Sequence, residues 1–145
     1  MTLLELVIAC SILLILASAA LPVARFTVKR QKEAELRRAL REIRTAVDRY
    51  KDTADRNLIR VEVATEGYPP DLETLVNGVK LATPQDRRIR FLRKIPIDPM
   101  TGQANWGLRS VQDDPKSTSW GGQNVFDVYS RSVGIALDGT RYSDW

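Results

Sequence analysis

Residues 1–56 read MTLLELVIACSILLILASAALPVARFTVKRQKEAELRRALREIRTAVDRYKDTADR, and their character changes once, between Ala24 and Arg25. From Leu6 to Ala24 nineteen consecutive residues carry no charge. At ~1.5 Å rise each, a helix of that length covers about 28 Å, close to the hydrocarbon thickness of a bilayer. A secretory signal would place basic residues ahead of a shorter apolar run and a small-residue cleavage site behind it. No basic residue precedes this run, so residues 1–24 read as a retained transmembrane helix. Two residues in it need a reason. Glu5 sets a carboxylate in the apolar segment, at a cost of ~2.5–3.5 kcal/mol if it lay at the helix centre. Pro22 removes a backbone donor and crowds the preceding turn. Its simplest reading is a kink at the membrane exit.

Residues 25–56 continue the helix with amphipathic character. Leu36, Leu40, Ile43, Val47, Tyr50 and Ala54 recur at spacings of 4, 3, 4, 3 and 4, which is one helical face. Arg37, Arg38, Arg41, Glu42, Arg44, Asp48, Arg49 and Asp52 read as the opposite, solvated face. From Lys29 to Glu35 the chain is mostly polar all round. One long helix of some fifty residues, broken only at Pro22, is the simplest arrangement. Residues 57–145 then form a small α+β head domain. In EGYPPDLETLVNG (66–78), Asp71 is a candidate N-cap for a short helix with Leu72, Leu75 and Val76 inward, closed by Asn77–Gly78. Pro96 and Pro99 bracket an extended piece that ends in a turn at Gly102. NVFDVYSRS (124–132) alternates like a strand, and Asp138–Gly139 marks a hairpin. Trp106, Trp120 and Trp145 read as core anchors.

The net charge of +4 comes with a basic cluster. Arg25, Lys29, Arg30, Lys32, Arg37, Arg38, Arg41 and Arg44 face only Glu33, Glu35 and Glu42 within residues 25–44. Nucleic acid is not the expected partner, because carboxylates interleave with these cations and no aromatic ladder accompanies them. Catalysis is not expected either. The chain has no histidine, and its one cysteine, Cys10, lies in the apolar run. The commonest general base, the usual zinc ligand and most hydrolase triads are therefore missing. Asp98, Asp113, Asp114, Asp127, Asp138 and Asp144 fall in turn or cap contexts and form no recognisable acid pair.

TLLELVIACSILLILASAALP, with Glu5 and Pro22, resembles the mature N-terminus of the type IV pilin superfamily. Where that family usually begins with Phe, this chain has Met1. Downstream, GYPPDLETLV, FLRKIPIDPMTG, FDVYSRS and DGTRYSDW resemble the major, G-type pseudopilins of type II secretion systems. The resemblance implies a pilin-like lollipop: a long N-terminal helix packed on a small antiparallel sheet with long loops. It implies removal of a basic leader by a prepilin peptidase and N-methylation of Met1, which would also reconcile the basic cluster with a periplasmic head. It implies single-pass residence in the bacterial inner membrane, followed by polymerisation into a helical periplasmic filament. That filament would drive cargo through an outer-membrane secretin, with minor pseudopilins, a platform protein and an assembly ATPase as partners. For Glu5 it implies an ion pair with the Met1 amine of a neighbouring subunit, against the simpler reading of a side chain that snorkels to water. For Pro22, preceded by Ser18, it implies local unwinding on assembly. Type IV pilins typically close a C-terminal loop with a disulfide; no cysteine follows Cys10 in this chain, so the pseudopilin branch is preferred to a surface pilin for adhesion or motility. A bitopic membrane adaptor is the alternative from another class, should Met1 be the initiator. Calcium is the one cofactor the family raises. RSVGIALDGTRYSDW (131–145) offers only Asp138 and Asp144, with Arg141 between them, fewer carboxylates than calcium's six to eight oxygens favour. No cofactor and no metal site are therefore expected.

Overall fold

The computed structural model describes residues 2–83 and 87–145. One helix dominates it. α1 runs from Leu3 to Asp55, opened by Thr2, whose hydroxyl accepts the Glu5 N–H at 3.3 Å. α1 is not broken at Pro22; the proline sits inside a continuous helix. Proline deletes a single N–H, the one that would have met the Ser18 carbonyl, and the neighbouring turns keep theirs. The Ser18 hydroxyl turns back to the Ile15 carbonyl at 2.7 Å. The helix stops at Asn57, where φ is +56°. The Asn57 N–H donates to the Ala54 carbonyl and the Leu58 N–H to that of Thr53. This pair of bonds closes a left-handed cap and occupies carbonyls the helix leaves open.

The stripe of six apolar residues is the floor of the core. Leu36 and Ile43 are fully buried, and Leu40, Val47, Tyr50 and Ala54 nearly so. Ala39 and Ala46 are buried beside them, small enough for loops to lie close on the helix. α2, Leu72–Asn77, forms as expected: Asp71 accepts the Thr74 N–H at 2.6 Å and the Thr74 hydroxyl at 2.7 Å. Leu72 and Leu75 point inward. Gly78 ends it at φ +79°, where a Cβ would strike the Ile89 carbonyl.

The sheet is two antiparallel ribbons. β1 (Val79–Lys80) pairs with β2 (Arg88–Ile89), and β3 (Gly107–Arg109) with β4 (Asp127–Tyr129). β4 lies against α1. The expected alternation along 125–130 is only partial, since Val128 and Tyr129 are both buried. Val128 joins the core cluster. Tyr129 is covered on the other face: its ring lies over Gly107, where any Cβ would collide with it, and under the Arg109 guanidinium at 4.1 Å. Trp106 is a core anchor, its indole N–H donating to the Pro96 carbonyl at 2.9 Å. Trp120 is not: it remains 40% exposed and caps the Asn124 carbonyl from a surface loop. Trp145 is half-buried against Tyr142, with Arg37 over its ring at 4.2 Å.

Candidate assembly surface

Two regions of α1 carry the functional question: its bare apolar half, and the face that holds the C-terminal segment. Over Leu3–Val28 the helix meets almost nothing from the head domain. Leu3 is 82% exposed, and Leu14, Ile15, Leu16, Val23 and Phe26 are all exposed. The helix is long and apolar enough to cross a membrane. So large an apolar surface is not left in water; lipid or other helices must cover it.

Glu5 lies in the first turn of α1, exposed, where helix N–H groups favour negative charge. Among the described residues no cation pairs with it. Met1, its expected counterpart in a neighbour, lies outside the described residues. Pro22 lies seventeen positions further along, about 25 Å up the axis. Glu5 and Pro22 thus mark two levels of one helix rather than one site.

The second region was only partly legible. Glu33, expected on a mostly polar stretch, is buried. Its Oε1 accepts the Leu137 N–H at 2.8 Å and the Tyr142 hydroxyl at 2.9 Å. Burial, with the Glu33 carboxylate next in weight, pushes the Tyr142 hydroxyl from its ordinary 10.0 up to about 12. Arg44, expected to be solvated, is half-buried: its guanidinium donates to Asp127 at 2.7 Å, to the Val128 carbonyl at 3.1 Å and to the Trp145 backbone oxygen at 2.6 Å. The spacing held both signals. Glu33 is three residues before Leu36 and extends the stripe upward; Arg44 is four after Leu40 and three before Val47.

The remaining carboxylates organise loops. Asp98, fully buried, accepts the Met100 N–H at 2.8 Å and the Ser130 hydroxyl at 2.6 Å, fixing the Pro96–Gly102 turn to the end of β4. Asp113 collects the Ser110 and Gly121 N–H groups, which hold its carboxyl below the ordinary range. Asp114 accepts the Lys116 N–H. Asp138 accepts the Thr140 hydroxyl and N–H, and these, with Arg37 further off, lower its pKa too. Asp127 departs from the turn pattern: it is a strand residue flanked by Arg44 and Arg109. Asp138 caps the turn between Ile135 and Arg141, which bridge as a narrow hairpin. Among the described residues no three Asp, Glu or Cys side chains converge on a point where a metal would sit. Comparison with protein-family models, with curated proteins and with solved structures returned no match.

Proposed function

We propose that this chain is a structural filament subunit, a major pseudopilin-like protein. It waits as a single-pass membrane protein and then polymerises through its N-terminal helix into a periplasmic filament serving protein export through an outer-membrane secretin. The observation that carries the reading is the division of α1. Its C-terminal half packs one face on the head domain, while its N-terminal half is bare, apolar and marked by one unpaired carboxylate. In the membrane, lipid covers that half. In a filament, neighbouring helices replace the lipid, and Glu5 meets the N-terminal amine of the next subunit in a medium that strengthens the pair.

Glu5→Ala tests this directly. The variant is expected to remain membrane-inserted, because its apolar span is intact, yet to form no ordered filaments by electron microscopy. Normal filaments from Glu5→Ala would sink the proposal. N-terminal mass spectrometry gives an independent check. An N-methylated Met1 supports processing by a prepilin peptidase; a formylated or acetylated Met1 points to the bitopic adaptor instead. Filaments seen outside the cell would move the reading to a surface pilin.

A further inference from the structure

Where α1 leaves its apolar run, a shallow cleft of about 380 Å³ is lined by Pro22, Arg25, Phe26, Lys29 and Leu137. The four helical residues are spaced i, i+3, i+4 and i+7, so they share one face. Leu137 reaches this face from the C-terminal hairpin because Glu33 holds its N–H. The cleft is apolar at its floor and cationic at its rim. Arg25, Lys29, Arg30 and Lys32 form no ion pair with any described carboxylate. The one acid on the same face, Glu33 at i+4 from Lys29, is turned onto Leu137 and Tyr142. Positive charge therefore stands uncompensated where a headgroup layer would lie, one turn beyond a run that matches hydrocarbon thickness.

We propose that this cleft is a binding site for one anionic phospholipid of the leaflet on the head-domain side. Arg25 and Lys29 grip the phosphate, and Phe26, Pro22 and Leu137 receive the upper acyl chain. This rests on the membrane-spanning reading of α1. Charge complementarity selects the occupant: lipid phosphates attract basic residues within a Debye length of the surface. The stems of Arg25 and Lys29 can lie along the apolar floor while their heads reach the phosphate. The hairpin makes the site more than a basic stripe, since it supplies Leu137 as a second wall.

The test is native mass spectrometry of the full chain released from nanodiscs made of equal phosphatidylcholine and phosphatidylglycerol. The wild type is expected to retain phosphatidylglycerol over phosphatidylcholine by on the order of tenfold. Arg25→Gln with Lys29→Gln is expected to abolish the preference. Leu137→Ser is expected to reduce it at unchanged charge. Arg38→Gln with Arg41→Gln, the same charge removed about three and a half turns further along, is expected to keep it. Equal retention of both lipids by the wild type, or equal loss in both double variants, overturns the site. So does displacement of the lipid by free glycerol phosphate, or a dimer that carries no lipid. A chain recovered outside the discs overturns the membrane reading beneath it, whereas an inserted but unselective chain overturns this inference alone.

Discussion

At Glu33 a buried carboxylate is made tolerable by two donors, and one of them is itself changed by the contact. Tyr142→Phe removes one bond to a charged group and should cost about 1.5–3 kcal/mol. Thermal melting of the detergent-solubilised chain would read this as a lower Tm. The pH dependence follows from the direction of the shift. Tyr142 holds its proton more tightly folded than unfolded, so its contribution is complete below pH 10.0 and is lost as pH rises towards about 12. Tyr142→Phe should lack that alkaline loss, and a wild type and variant with the same alkaline profile would argue against the contact. Asp113 and Asp138 work in the other direction. Their pKa values are lowered from 3.8 on folding, so the stability they contribute is present above that value and lost as pH falls below it. Asp98 has no exposed surface, and Asp98→Ala would strand the Ser130 hydroxyl and the Met100 N–H together. A cost of about 2–4 kcal/mol is expected, visible as a shift in the urea midpoint.

For the long helix, the six-residue stripe is what joins sequence to fold. Ile43→Ala, at its centre and fully buried, should destabilise the head by about 2–5 kcal/mol. An equal truncation at Ile12, which is exposed in this structure, should leave the melting of the head unchanged. Pro22→Ala restores the donor missing opposite the Ser18 carbonyl and relieves the crowding, and should stiffen α1 by up to about 3 kcal/mol. If the unwinding that the pilin resemblance implies at this level operates in the proposed filament, filaments of that variant should extend less under load in an optical trap. The stripe could be read in advance because burial on one face of a helix imposes a period. Glu33 and Arg44 were harder to see, because each is polar yet placed by that same period. Their partners lie 83 to 109 residues away, on β4 and in the C-terminal segment beyond it, and no local pattern says which part of α1 those residues will meet.

Across the molecule, legibility follows the range of the forces involved. The Asp71 cap, the Asn77–Gly78 stop and the Asp138–Gly139 turn are settled by neighbours within a few residues, and all three were legible. Trp120 was misplaced because bulk alone does not bury a ring; its loop is held out by Asp113 and Asn124 hydrogen bonds, and the indole serves that loop. Tyr129, on the face of β4 opposite Val128, is buried as well because Gly107 leaves room for the ring. The assembly residues Glu5 and Pro22 were visible as exceptions within an apolar run. In the proposed filament, the surfaces that would receive them belong to other copies of the chain. Arg44→Ala should cost about 1–3 kcal/mol, and Arg44→Lys should recover less than half of it, since a single ammonium nitrogen does not span the Nε and Nη2 positions from which Asp127 and the two backbone oxygens are served. Chemical denaturation of the two variants side by side would measure the difference.

The two fastenings of the C-terminal segment also have a mechanical meaning. Glu33 and Arg44 are eleven positions apart on a rigid rod, about 16 Å along its axis. Both grip the segment that follows β3, one through Leu137 and Tyr142, the other through Asp127, Val128 and Trp145. A pull along α1 therefore loads both rivets in parallel, as shear. A pull across it would open them in turn, like a zipper. A subunit hauled by its N-terminal helix would carry its head along the strong direction.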